Sequence, residues 1–184
     1  MKKSTIVILV VLVLIILYGF TTYNRLVTLS VNADTQWKQV EVNYQRRFDL
    51  IPNLVESVKG IMTQEQAIFL ALAEARTRYS GAVTADEKAS AAAQVEGSLG
   101  RLLVVMENYP ELRSADTVQT LMSQLEGTEN RISVERIRFN EAVRNYNLKV
   151  MRVPSSIIAS IFGFDERAYF EITESADAVP QVKF

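Results

Sequence analysis

The chain has 184 residues, with 20 basic and 21 acidic side chains, no histidine and no cysteine. Because the basic and acidic side chains nearly balance, the chain creates no strong electrostatic field that would attract nucleic acid. We therefore predict no nucleic-acid partner. The lack of histidine removes the commonest general base and transition-metal ligand, and the lack of cysteine removes disulfides and thiol chemistry.

An apolar run near the N-terminus is the first predicted element. Residues 6–20 are apolar apart from one tyrosine and one glycine, and no charge occurs between Lys3 and Arg25. At about 1.5 Å per residue, this uncharged stretch is long enough to cross a hydrocarbon core of about 30 Å as a helix. We therefore predict a single transmembrane anchor over residues 1–22 and the lipid bilayer as one partner.

A cleaved signal peptide is the alternative interpretation of this run. Cleavage would require small residues after the apolar stretch, whereas Phe20 and Tyr23 place aromatic rings there. We favour the uncleaved anchor. Its orientation stays open, because Lys2 and Lys3 favour a cytoplasmic N-terminus while Arg25 and further basic residues follow on the other side.

Four later segments carry apolar residues at alternating steps of three and four, which places them on one helix face. These segments run from Leu26 to Ile51, from Leu54 to Tyr79, from Ala92 to Met106 and from Val118 to Val150. Short connections between helices favour antiparallel neighbours. We predict an all-α fold in which an antiparallel up-down four-helix bundle occupies residues 23–151.

Proline and capping residues set the predicted ends of these helices. Pro52 cannot donate to the preceding turn, so we predict that the first helix ends there rather than bending. Thr84 and Glu87 fit a capping box at the start of the third helix. Ser114 or Asp116 is available to cap the fourth helix.

Residues 152–170 are predicted to form a membrane-proximal apolar segment with a short C-terminal helix, because Pro154 ends the fourth helix. The large apolar side chains of this segment are Ile157, Ile158, Ile161, Phe162 and Phe164. They either close the open end of the bundle or lie on the lipid interface, and we favour closure. Residues 171–184 lack a pattern and are predicted to be a loose tail.

Several motifs of the chain resemble the LemA family. They are Tyr23–Val27, Arg46–Val55, Val58–Gly60, Glu65 with Ala75–Arg76, Asn108–Leu112, and Glu129, Arg136, Phe139–Asn140 and Tyr146–Asn147. The resemblance spans roughly residues 1–170 and implies a single-pass protein of the bacterial inner membrane with a helical bundle domain. It also implies an HtpX-type zinc metalloprotease as a partner. The family's N-terminus is described as outside, against the charge argument, so orientation stays open.

Glu65 is predicted to occupy an inward position of the second helix, where a buried carboxylate needs a partner. In the predicted topology Glu65 lies near Arg131. We predict an internal polar network that fixes helix register, and the alternative is a proton-responsive switch at Glu65. The predicted members are Glu65, Arg76, Arg131, Arg136, Asn140, Tyr146 and Asn147. For the asparagines and Tyr146 we favour bonds between helices over a ligand pocket.

A second candidate group lies at the predicted tip of the bundle, far from the membrane. It comprises Arg46, Arg47, Asp49, Pro52 and Asn53. We favour a structural role for these residues in covering and capping helix ends. The alternative is a docking surface, because arginine is enriched at protein interfaces.

The sequence contains no constellation that would support catalysis, a cofactor or a metal. It has no histidine to activate a serine and no glycine-rich loop that would cradle a nucleotide. We therefore predict a non-enzymatic, membrane-tethered scaffold that binds another membrane protein, with homo-oligomerisation left open. The alternative is a membrane-anchored sensor that responds to a small ligand or to protonation.

Overall fold

Six helices and no strand make up the part of the chain that the computed structural model describes, residues 3–113 and 115–170. In chain order they are α1 (Lys3–Lys59), α2 (Gln66–Gly81), α3 (Ala85–Met106), α4 (Pro110–Arg113), α5 (Asp116–Met151) and α6 (Ser155–Phe162). The predicted all-α class is confirmed. The tail predicted for residues 171–184 and the predicted cap Ser114 lie outside the described residues.

The helix α1 is continuous over 57 residues and contains Pro52, so the predicted end at Pro52 is wrong. Proline removes one backbone donor, but the side chains on either side of it keep the spacing of three and four and are all buried. Burial of this shared face outweighs one lost hydrogen bond. The buried side chains around Pro52 are Phe48, Ile51, Leu54 and Val58.

The longest helices, α1 and α5, pair antiparallel along most of the length of α5. The rings of Trp37 and Phe139 lie 5.3 Å apart. Nearer the membrane, Leu26 of α1 packs with Tyr146 and Val150 of α5 in a second, smaller apolar cluster. The pairing therefore continues from the main core towards the apolar start of α1.

The helices α2 and α3 form a shorter antiparallel hairpin beside the distal half of α1. The Arg78 guanidinium donates to Gln94 at 2.9 Å, and the ring of Tyr79 lies 4.5 Å from that of Phe48. The capping box predicted at Thr84 and Glu87 begins α3 and is confirmed. One hydrophobic cluster joins α1, α2, α3 and α5. Asp116 is the first residue of α5 and not its cap.

The apolar start of α1 stands apart from this packing. Every described side chain from Ile6 to Leu17 is exposed, whereas Thr22 and Leu26 are buried. Within the described ranges, α1 alone is long and apolar enough to cross a membrane. The predicted anchor boundary at residue 22 therefore falls inside a single helix, which carries the apolar stretch directly into the packed region.

The chain turns back after α5 and α6. Gly163 ends α6 with φ +71°, a left-handed conformation that glycine adopts without steric cost. Residues 164–170 then run without helical structure along the pair formed by α1 and α5. We call residues 164–170 the C-terminal strap.

Candidate functional site

Five polar side chains cross the interior between α1, α3 and α5. We call this set the core charge network, and its members are Tyr44, Arg47, Glu96, Glu129 and Arg136. Arg47 pairs with Glu129, and its guanidinium also lies 3.6 Å from Glu96. Arg136 pairs with Glu96 at 2.7 Å and donates to the hydroxyl of Tyr44. Each charge therefore meets an opposite charge on another helix.

Burial shifts the pKa of two members of this network, Arg47 and Tyr44. Only 8% of Arg47 is exposed, and burial lowers the pKa of its guanidinium, while the charge of Glu96 opposes that shift. Burial, and after it the charge of Glu96, raises the pKa of the Tyr44 phenol above its ordinary value of 10.0. Tyr44 therefore stays neutral near neutral pH, and the ion pairs of the network connect three helices.

The structure separates several of the residues that were predicted to form one internal network. Glu65 lies in the connection before α2 and is half-buried, so its predicted inward position within a helix is wrong. The reason is that α1 continues to Lys59, which moves the start of α2 to Gln66. Arg76 is half-buried on α2 and Arg131 is exposed on α5, so Arg131 is not an internal residue.

The sequence predicts Arg136 as an internal network residue and Arg47 as a tip residue, whereas Tyr44, Glu96 and Glu129 were missed as site residues. Tyr44 occupies a position of the apolar face of α1 and was counted with the core, and Glu96 lies on an alanine-rich helix. The available indication was the spacing of Tyr44 and Arg47, which places a hydroxyl and a guanidinium on one buried face. A buried arginine requires a carboxylate from a neighbouring helix.

Two asparagines of α5 hold the C-terminal strap. Asn147 donates to the carbonyl oxygen of Arg167 at 2.8 Å and accepts from the Arg167 backbone N–H at 2.9 Å. Asn140 forms the same pair of bonds with Phe170, at 3.0 and 2.8 Å. The hydroxyl of Tyr146 donates to the carbonyl oxygen of Asp165 at 2.9 Å. The bonds predicted between helices are therefore bonds to an extended segment.

Side chains of the strap reach α1 and the core charge network. The guanidinium of Arg167 donates to Asp34 at 2.6 Å and to the Ser30 hydroxyl at 2.9 Å. The ring of Phe170 is buried, and the guanidinium carbon of Arg136 lies 4.6 Å from its centroid. The strap thus bridges α1 and α5.

The residues predicted at the tip of the bundle differ in burial. Arg47 is buried in the core charge network, and Pro52 is half-buried within α1. Arg46, Asp49 and Asn53 are exposed on one face of the helix. Asp49 accepts from Gln45 at 2.8 Å. Because α1 does not end at Pro52, the predicted capping by Asp49 and Asn53 is wrong.

The apolar side chains of α6 do not close the helical core. Ile157, Ile161 and Phe162 are 57%, 68% and 57% exposed, so the favoured closure is wrong for these three. Only Ala159 and Ser155 of α6 are buried. The remaining two residues, Ile158 and Phe164, are half-buried, and the ring of Tyr23 lies 5.7 Å from that of Phe164.

Comparison with known proteins identifies the family. The sequence model of the LemA family matches residues 36–184. The chain belongs to the LemA family. The resemblance drawn from the motifs is therefore confirmed.

Curated relatives of this LemA-family chain include magnetosome proteins. It is 29% identical over 181 residues to magnetosome proteins MamQ 1 and MamQ 2 of Paramagnetospirillum magneticum, an alignment that covers 84% of the chain. It is 28% identical over 189 residues to MamQ of Magnetospirillum gryphiswaldense, with 87% of the chain covered. The chain spans 66% of the length of the first two relatives and 70% of the third.

The LemA match contains the core charge network and the strap, but the apolar stretch of α1 lies before residue 36. Across the described side chains, no group of three or more carboxylates is close enough to hold a metal ion. The LemA region contains packed helices that are joined by internal ion pairs and by the strap.

Proposed function

We propose that this LemA-family chain is a non-enzymatic, membrane-tethered scaffold that binds another membrane protein. The observation that supports the proposal most directly is the continuity of α1 from the apolar stretch into the packed helices. At about 1.5 Å per residue its 57 residues span about 85 Å. A continuous helix presents the packed helices at a fixed height and orientation above the bilayer.

Anchoring in the same membrane allows two proteins to associate through weak but specific contacts. Two proteins confined to one membrane surface meet at a raised effective concentration, so a modest contact area is sufficient for association. The proposed location is the bacterial inner membrane, with the apolar stretch of α1 retained as an anchor. Burial of Thr22 and Leu26 immediately after that stretch supports retention, because cleavage near these residues would remove packed side chains.

The exposed face of the distal half of α1 is the surface that we assign to the partner. Val42, Arg46, Asp49 and Asn53 follow one another at steps of four, three and four, and all are exposed. This face combines an apolar side chain, an arginine and hydrogen-bonding groups, a composition found at protein interfaces. The first candidate partner is an HtpX-type zinc metalloprotease, which the family resemblance implies, and the second is another copy of the chain.

The sensor alternative has less support. Its response to protonation depended on a buried Glu65, and Glu65 lies half-buried in the connection between α1 and α2. The carboxylates of the core charge network, Glu96 and Glu129, are 26% and 42% exposed, and each pairs with an arginine, which keeps its charge. The scaffold is therefore the function that the geometry supports best.

Photo-crosslinking in native membranes tests the proposal. A crosslinking residue at Asn53 on the assigned face is compared with one at Glu126, which is exposed on α5. We expect Asn53 to capture the co-expressed HtpX-type protease or a second copy of the chain, and Glu126 to capture neither. Equal capture at both positions, or no capture at Asn53, would contradict the proposed interface.

A further inference from the structure

An open groove lies where the apolar stretch of α1 meets the C-terminal end of α5. Its volume is about 490 Å³, within the range of small-molecule sites. Tyr18 and Arg25 of α1 form one wall, and Lys149 and Arg152 lie opposite, at the end of α5. Three cationic residues therefore line one groove.

No acidic residue is a close sequence neighbour of these cations or forms an ion pair with them within the described ranges. The sequence contains no aspartate or glutamate in residues 3–33 or in residues 142–164. Within the described ranges, none of Arg25, Lys149 and Arg152 forms an ion pair with a carboxylate. The chain as a whole carries a net charge of −1, so this positive region is a local feature. An anion is the ligand that such a groove attracts.

The position of the groove along the axis of α1 indicates which kind of anion it would bind. Tyr18 belongs to the apolar run, and Arg25 is the first charge after it, about 10 Å further along the helix axis. The exposed apolar residues Ile157, Ile161 and Phe162 of α6 belong to the same end of the molecule, since the ring of Phe162 lies 4.8 Å from that of Tyr23. The groove therefore spans the depth at which lipid headgroups lie.

We propose that this groove binds the phosphate of an anionic phospholipid. Arg25, Lys149 and Arg152 would pair with the phosphate oxygens, and Tyr18 would contact the glycerol region near the hydrocarbon boundary. The exposed side chains of α6 would enter the same leaflet beside the bound lipid. Binding at this site would fix the rotation and depth of α1 in the bilayer. The inference requires that α1 is membrane-inserted, but it does not depend on a protein partner.

Lipid binding to the full chain in neutral detergent micelles provides the test, with bound lipid counted by native mass spectrometry. We expect dioctanoyl phosphatidylglycerol to bind and dioctanoyl phosphatidylcholine, which has no net charge, to bind at least about tenfold more weakly. Arg25→Gln and Arg152→Gln should each weaken phosphatidylglycerol binding about fivefold, as expected for one lost cation near a lipid surface. Arg144→Gln is the matched control, because Arg144 is exposed on α5 but does not line the groove.

Three results would overturn the proposal. Equal binding of the two lipids, or equal effects of Arg144→Gln and Arg152→Gln, would show only a general attraction to the basic end of the molecule. Displacement of the lipid by inorganic phosphate at similar concentration would instead identify a site for free phosphate. A far-ultraviolet circular dichroism spectrum of each variant, unchanged from that of the parent, confirms that the helices are retained.

Discussion

Asn147 and Arg167 are joined by a reciprocal pair of hydrogen bonds, in which the side-chain amide of Asn147 donates to the backbone C=O of Arg167 and accepts from its backbone N–H. Asn140 repeats this arrangement with Phe170. The asparagines are seven positions apart on the helix and their partners are three positions apart in the extended segment, and both spacings correspond to about 10 Å. The matched spacing allows one helix face to hold an extended segment in a single register.

Removal of one clamp should destabilise the protein and release the strap. We expect Asn147→Ala to lower the free energy of unfolding by about 1–3 kcal/mol, because part-buried backbone groups of the strap lose a buried hydrogen-bond partner. Hydrogen exchange should accelerate at the amide of Arg167, which donates to Asn147. Denaturant unfolding of the full chain in micelles, combined with exchange measurements, checks both effects.

Asn130→Ala is the matched control for the clamp, because Asn130 is exposed on the same helix. It should change the free energy of unfolding by less than about 0.5 kcal/mol. An Asn147→Ala variant whose strap amides exchange as slowly as those of the parent would show that the clamp does not hold the strap.

The core charge network should depend on Arg47 far more than on its neighbour Arg46. Arg47→Ala leaves Glu129 and Glu96 without one of their cations, and we expect a loss of about 3 kcal/mol in the free energy of unfolding. Arg46 is exposed, so Arg46→Ala should cost less than about 0.5 kcal/mol. Denaturant titration measures the free energy of unfolding of both variants. Equal losses of this free energy in Arg46→Ala and Arg47→Ala would contradict the structural role of the network.

Local patterns predicted those parts of the fold that depend on one segment at a time. The apolar run, the three-and-four spacing of Tyr44 and Phe48, and the capping box at Thr84 each require only nearby residues. The exposed and buried faces of α1 follow from that spacing alone. Helix class and helix faces could therefore be obtained from the sequence.

Features that depend on contacts between distant segments were missed or misplaced. The partners of Asn140 and Asn147 are backbone groups of an extended segment, which has no helical periodicity to recognise. The position of Glu65 depended on where α1 ends, and that end was set by burial on both sides of Pro52 rather than by the proline itself. Propensity at one residue is overridden when packing extends across it.

The ion pairs of Glu41 should contribute to the free energy of unfolding at neutral pH, and this contribution should be lost as the solution becomes acidic. Burial raises the pKa of Glu41, but bonds to Lys38 and Lys88 outweigh burial and hold the pKa below 4.5. A carboxylate with a lowered folded-state pKa stabilises the fold at pH values above the unfolded pKa, and this contribution is lost as pH falls through the folded pKa. The difference in unfolding free energy between the parent and Glu41→Gln should therefore shrink between about pH 5 and about pH 3.

Glu56→Gln controls for general effects of acid in this experiment. Glu56 is 75% exposed and lies 3.8 Å from Lys59, so its pair contributes little. We expect its difference from the parent to stay small across the same pH range. A Glu41→Gln difference that grows on acidification would show that the sign assigned to the Glu41 ion pairs is wrong.

The continuity of α1 through Pro52 predicts the effect of replacing that proline. Alanine at this position restores one backbone donor to a helix interior and has a higher helix propensity, so Pro52→Ala should raise the free energy of unfolding by about 1–3 kcal/mol. Asn53→Ala, at the exposed neighbouring position, should have less than half of that effect. Thermal unfolding of both variants in micelles measures the difference. If the chain instead broke at Pro52, alanine would remove a residue suited to a helix start, and Pro52→Ala would be neutral or destabilising.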